Sequence, residues 1–268
     1  MMSRQRLLVA SFIGLLLAVT GSTTDAYENF LKTKVNIDYD DWDYGPGSRG
    51  PAHWGEKWKT CGVGKNQSPI NIDTSKLVYD EELDAPIIHS YTDEQAFVLN
   101  NGHFPQVIWP AGWIYVNNKN YSMMGFQFHS PSEHTIDGKS YPLEMQIVHV
   151  NEDGDFAIVV ILSDVQDKVN GWVAQFWDQI PVQNFWEPIE VGVLSPDGFR
   201  VNFSKYYRYT GSLTTPDCQE NVVISILSTV YEISPDQMEH LRSIFPNPTN
   251  RPVQPIGDRK VSYPKASV

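Results

Sequence analysis

The stretch Phe126-Gln127-Phe128-His129-Ser130-Pro131-Ser132-Glu133-His134-Thr135, followed by Leu143-Glu144-Met145-Gln146-Ile147-Val148-His149, decides how this chain is read. Side chains at i and i+2 of a strand share a face. Gln127 and His129 therefore point one way, and Phe126 and Phe128 the other. On the second run Glu144, Gln146 and Val148 share a face, and Met145, Ile147 and His149 share the opposite one. If the two strands are neighbours, Gln127, His129 and Gln146 converge on one spot of a sheet. Short runs of the same kind lie on either side: Phe97–Leu99, Gln106–Trp109, Trp113–Val116 and Met145–Val150. Phe156–Leu162 is continuously apolar, as a strand buried on both faces is. Helical patterns are few, at Val169–Ile180 and Ser234–Phe245, the second opened by Ser234-Pro235-Asp236 as cap and first turn. The expected fold is one α+β domain around a large, mainly antiparallel twisted sheet with few short helices.

Acidic residues outnumber basic ones 32 to 20, for a formal charge of −12. That sign repels phosphate backbones, sulfated glycans and anionic membrane surfaces, so neither nucleic acid nor a membrane is expected as a partner. The N-terminus reads as a secretory signal over residues 1–24. Arg4 and Arg6 precede an apolar run, Leu7–Val19, and the small residues Thr20, Gly21 and Ser22 follow. The run is short of the ~20 residues a spanning helix needs. Residues 25–50 form an acidic, turn-rich arm, residues 51–258 the domain, and residues 259–268 a polar tail. The two cysteines, Cys61 and Cys218, read in a secreted chain as one disulfide, with two buried free thiols as the alternative. Sequons at Asn120 and Asn202 are candidate glycosylation sites. A third, at Asn66, is followed by Pro69 and abuts the first cysteine, which argues against its use.

Across residues 50–258 the sequence resembles the alpha-class carbonic anhydrases. The resemblance rests on His53-Trp54-Gly55, Cys61 through Ile70, Asn101-Gly102-His103, Pro131 through Gly138, Tyr209 through Pro216, and Asn250 through Pro255. The Pro131-Ser132-Glu133-His134 wording is more similar to the plant, algal and bacterial branch than to the vertebrate cytosolic one. The resemblance implies three histidines holding zinc and a bound hydroxide that attacks carbon dioxide. Catalytic zinc of this kind takes three neutral nitrogen ligands and an open fourth position.

Of the three positions that match the ligands, only His129 is histidine; Gln127 and Gln146 stand at the others. Gly125 matches a family glutamine that orients the first ligand, so Gly125→Gln is expected to strengthen a rebuilt site. Glu144 matches the acceptor that orients the third. His103 matches the proton-shuttle histidine, Thr214 the residue that hydrogen-bonds the hydroxide, and Glu133 the carboxylate that orients Thr214. Val148, Ile158 and Leu213, with Thr215, match the substrate pocket. Other roles remain open: His103 as an ordinary surface histidine, Thr214 with Glu133 as a buried hydrogen bond kept for folding. Gln127 and Gln146 can equally bond each other and fill the site. His149 faces away and His134 is structural in the family, so neither replaces a ligand. Family practice also joins cysteines at the positions of Cys61 and Cys218.

These observations lead to a secreted module without zinc and without hydratase activity, binding an unspecified protein or small ligand. An active zinc-dependent carbonate dehydratase with an altered site is the alternative. A storage or mineral-matrix role is a third, weakened by the lack of repeated acidic tracts.

Overall fold

Strand alternation builds the molecule around the residues with which the sequence was opened. In the computed structural model, which describes residues 41–83, 87–183, 188–199 and 201–265, the strands Lys119–His129 and Leu143–Val150 pair antiparallel. Gln127 stands opposite Gln146, Phe126 opposite Ile147, and His129 opposite Glu144. Phe156–Val165 continues the sheet antiparallel to Leu143–Val150, setting Ile158 beside Val148. Its residues Phe156–Ser163 are all buried, as the unbroken apolar run predicts. The proposed signal segment and the first part of the arm lie outside the described residues.

Among the described residues the main sheet has thirteen strands. It runs from an edge at Ile189–Leu194 through Glu94–Asn100 and Pro105–Ile108 to the central pair, then through Phe156–Val165, Glu220–Leu227 and Tyr206–Ser212 to Ser262–Tyr263 and Val78–Tyr79. Most pairs are antiparallel. Phe156–Val165 nevertheless lies parallel to both Glu220–Leu227 and Tyr231–Ile233, so the sheet is mixed. Within the stretch read as a tail, Ser262–Tyr263 adds a strand between Tyr206–Ser212 and Val78–Tyr79.

The back of the sheet carries the main core. Phe126, Phe128, Met145, Ile147 and Ile161 pack there against Trp172, Phe176 and Trp177. Phe128 meets the Trp177 ring edge to face at 4.9 Å. The helix Pro235–Ile244 forms as its cap predicts: Gln237 N donates to Ser234 Oγ and Ser234 N donates to Gln237 Oε1, both at 3.2 Å. The helix expected at Val169–Ile180 does not form. Two short 3₁₀ turns, Val173–Gln175 and Trp177–Gln179, take its place. Each indole is tethered to a different carbonyl, Trp172 Nε1 to Ser195 O at 3.0 Å and Trp177 Nε1 to Gln237 O at 2.8 Å. Tertiary anchoring of the two rings overrides the helical pattern.

Candidate functional site on the polar face of the sheet

The front of the same strands carries amides, carboxylates and imidazoles instead of rings. Gln127 Nε2 donates to Gln146 Oε1 at 3.0 Å. Gln146 Nε2 in turn donates to Glu133 Oε2 at 2.7 Å and to Glu144 Oε1 at 2.8 Å. One amide thus sits between two buried carboxylates and gives a hydrogen to each. Glu144 Oε2 accepts from the backbone N–H groups of Glu133 and His134, at 3.0 and 2.8 Å. His134 Nδ1 lies 2.9 Å from Glu144 Oε1, and its Nε2 lies 2.7 Å from the Tyr209 hydroxyl, which reaches Ser68 Oγ at 2.8 Å. Burial alone would lift the Glu144 carboxyl, but His134 outweighs it and holds the pKa below the ordinary value. Burial does lift Glu133, opposed by His129 and reinforced by Glu144.

His129 is fully buried, and its Nδ1–H donates to Thr249 O at 2.6 Å. That bond leaves Nε2 facing inward without a partner. Tyr44 Oη and Thr214 Oγ1 nearby, and Arg251 Nε below, are likewise buried without a partner among the described residues. Thr214 lies close enough to Glu133 to favour its carboxylate, yet its hydroxyl forms no hydrogen bond of good geometry. The Glu133 oxygens accept from Gln146 and from Arg251 N, the latter at 2.9 Å. Val148 and Ile158 stand side by side on this face, and Leu213 and Thr215 are half-buried on the loop that carries Thr214. His149 faces the other way, between Tyr91 Oη at 3.1 Å and Ala157 O at 3.3 Å.

Two expectations need correction. His103 is half-buried rather than an exposed loop histidine. Its ring stacks on Trp42 at 3.7 Å and 11°, and burial, opposed by Asp43, drops its pKa to about 4. A group that moves protons near neutrality works best with a pKa near the working pH. Gly125 also departs from its expected role. It sits at a register shift with φ +145°, and a Cβ there would lie 2.0 Å from Val107 O. A glutamine cannot be added at this position without moving the adjoining strand.

Other site residues carry no local sequence signal. Tyr44, from the acidic arm, is half-buried, with its hydroxyl fully enclosed and its ring edge-on to His129 and Trp54. Burial, with Glu133 adding, keeps its phenol protonated well above the ordinary range. Arg251 is buried beneath the site, donating to Gln67 Oε1 at 2.9 Å and to Ser68 O at 2.7 Å. Burial lowers its pKa to about 10, and it remains charged. Thr249 meets His129 through its carbonyl, which side-chain identity does not announce, while its hydroxyl accepts from Ser130 N at 3.0 Å.

Cys61 and Cys218 form a disulfide with Cα atoms 5.1 Å apart, which ties the loop after Thr214–Pro216 to the Lys59–Val63 helix. A disulfide points to an oxidising compartment. Among the described residues no helix is long and apolar enough to cross a membrane. No three His, Cys, Asp or Glu side chains among them converge to hold a metal ion. Asn120 and Asn202 are exposed, whereas the sequon at Asn66 ends on Ser68, whose hydroxyl is buried against Tyr209.

A large mixed sheet with few helices, an aromatic back and a buried polar front of Glu133, His134, Glu144 and Thr214 is the architecture of the alpha carbonic anhydrases. The profile described as "Eukaryotic-type carbonic anhydrase" matches residues 49–265, and the chain belongs to that family. A carbonic anhydrase of Pectobacterium carotovorum is 33% identical over 231 residues, which cover 83% of this chain and 90% of that protein. The alpha-carbonic anhydrase of Thermovibrio ammonificans, solved with sulfanilamide, superposes with a TM-score of 0.77 at 35% identity, over 82% of this chain and 98% of that one. Dioscorin, solved with ascorbate, superposes equally well, with a TM-score of 0.77 at 31% identity over 84% and 98%.

Proposed function

We propose that this chain is a secreted carbonic anhydrase-like protein in which an amide–carboxylate network replaces the metal centre, leaving a binding module without hydratase activity. The observation that carries this reading is Gln146. On this reading Gln127, His129 and Gln146 occupy the three ligand positions, and the amide of Gln146 sits between Glu133 and Glu144 with both hydrogens engaged. An N–H donor cannot ligate a cation, and Gln146 Oε1 already accepts from Gln127. One imidazole and two committed amides do not fit zinc, which takes three nitrogen ligands at catalytic sites. No catalytic step is therefore derived through a metal, and no cofactor is assigned.

The role that remains is binding. The unpartnered Tyr44 Oη, His129 Nε2 and Thr214 Oγ1 give the front face hydrogen-bonding capacity that the protein itself does not use. Dioscorin, with the same fold, has been solved with ascorbate, which supports a small polar ligand here too. Delivery by a signal over residues 1–24, removal of that segment, and glycans at Asn120 and Asn202 complete the reading. The domain extends at least over the family match, residues 49–265, because Ser262–Tyr263 forms a strand of the main sheet.

The second reading, a zinc-dependent carbonate dehydratase, draws on relatives that carry that name and on the retained Glu133 and Thr214. Elemental analysis of purified, tag-free protein, run with a carbon dioxide hydration assay, separates the two. The pseudoenzyme reading predicts only trace zinc and hydration at the buffer rate. One zinc per chain with inhibitor-sensitive hydration establishes the second reading instead.

A further inference from the structure

We infer that the hairpin of Gly112–Val116 and Lys119–His129 carries a platform for the glycan at Asn120, whose first sugar lies across the rings of Tyr115 and Trp113. This rests on the glycosylation of Asn120 proposed above, and adds where the sugar goes and what it does there. The sequon Asn120-Tyr121-Ser122 lies wholly within a strand. On the antiparallel strand Gly112–Val116, Tyr115 stands directly opposite Asn120 and Trp113 directly opposite Ser122. A two-residue turn fixes that register. Val116 pairs with Lys119 across Asn117 and Asn118, whose φ angles of 49° and 61° are those of the tight hairpin turn.

Alternation sorts the cross-strand pairs by face. Ile114 and Tyr121, opposite each other, are buried and face the core. On the other face Asn120 and Ser122 are exposed, Trp113 is 39% exposed and Tyr115 is half-buried. Ile88, on the strand beyond, stands opposite Tyr115 and is 47% exposed. The sequon therefore borders an outward strip of Ile88, Tyr115 and Trp113. Apolar groups gathered on an outer face mark a place where something is held. Residues directly opposite in such a pair hold their Cβ atoms about 4.5–5.5 Å apart, and diagonal neighbours about 7–8 Å. A sugar linked to Asn120 Nδ2 thus starts within reach of both rings. One side of a pyranose is a flat set of C–H groups, which suits the electron-rich face of an aromatic ring, while its hydroxyls stay in water. A bulky glycan rooted beside the strip also bars a second protein from it. Asn202 has no such neighbours in register, since among the described residues it belongs to no strand.

The test uses the full chain secreted from a eukaryotic host, with Asn202→Gln so that one glycan remains, trimmed enzymatically to a single N-acetylglucosamine. Peptide mass mapping reads the occupancy of Asn120, and urea unfolding compares the modified protein with Asn120→Gln. The single sugar is expected to lower the unfolding equilibrium constant about two- to tenfold, the worth of one aromatic contact. Tyr115→Ala with Trp113→Ala should abolish that gain. Because modified and unmodified forms of the same variant are compared, any cost of the alanines to the chain itself cancels. Tyr115→Phe with Trp113→Phe should keep most of the gain. A second arm needs no ring variant: with the sugar ¹³C-labelled, its ring C–H signals must lie upfield of those in the urea-unfolded protein. An unmodified Asn120 removes the glycan and the platform together. A modified Asn120 whose sugar fails to stabilise the chain, fails to shift, or stabilises the double alanine variant equally leaves the glycan in place and overturns the platform.

Discussion

The two faces of the Lys119–His129 and Leu143–Val150 strands come from alternating residues of the same segments, yet they follow different rules. On the back, Phe126, Phe128, Met145 and Ile147 are held by packing, and each ring touches several others. On the front, Gln127, His129 and Gln146 are held by directed hydrogen bonds to Glu133, Glu144 and Thr249. The backbone fixes where side chains point on both faces. Chemistry at those points is free to change on the front as long as each buried donor and acceptor finds a partner. A front face can therefore lose its ligands while the back face, the register and the second rank of carboxylates persist.

The difference predicts unequal costs for matched truncations. Phe128→Ala should lower stability by about 3–5 kcal/mol in urea titrations, as a transfer loss plus an unfilled cavity. Replacing both Cys61 and Cys218 by serine should cost about 2–5 kcal/mol, because the bridge closes a loop across 157 residues. Gln146→Leu should cost about 1–3 kcal/mol, since Glu133 and Glu144 each lose a donor while remaining buried. Gln127→Leu removes one bond from a half-buried amide and should cost no more than about 1 kcal/mol. If Gln127→Leu proves as damaging as Phe128→Ala, the front face is a packed core and the contrast fails.

Acid should act on both faces through buried neutral histidines. Burial drops His149 to about 3 and His103 to about 4, below the ordinary value near 6.5. The unfolded chain then binds more protons than the folded one, so stability is full above pH 6.5 and falls as pH drops toward those values. Between pH 6.5 and 5 the expected loss is about 1–2 kcal/mol per histidine. His149→Gln should flatten the slope of melting temperature against pH over that interval. An unaltered slope would place the titrating group elsewhere.

Alternation made the central strands, their two faces and the burial of Phe156–Leu162 readable from sequence. The Ser234 cap announced one helix, and two cysteines behind an expected signal segment pointed to the bridge. What stayed hidden depends on distant partners. The Val169–Ile180 pattern is helical in period, but its indoles are tethered to Ser195 and Gln237, which no local window contains. Tyr44 and Trp42 sit in an acidic stretch without periodicity, and their partial burial comes from Trp54 and His103. The constraint on Gly125 arises from the backbone of the neighbouring strand at Val107, and the anchor of His129 is the carbonyl of Thr249. Backbone partners have no side-chain signature.

The central claim, that the front face kept its geometry and exchanged metal ligands for amides, is tested most directly by zinc competition against a chromophoric chelator. Four proteins suffice: the parent, the single variants Gln127→His and Gln146→His, and the double variant that carries both. The double variant presents three imidazoles from fixed strand positions, with Glu144 placed to orient the one at 146. Gly125 cannot orient the one at 127, and Gly125→Gln is expected to add nothing because its Cβ collides with Val107. The account predicts no stoichiometric zinc on the parent, little gain from either single variant, and one zinc on the folded double variant. Its affinity should fall about 10- to 100-fold short of a fully supported site. One tightly bound zinc on the parent, or a folded double variant that binds no better than the parent, contradicts it.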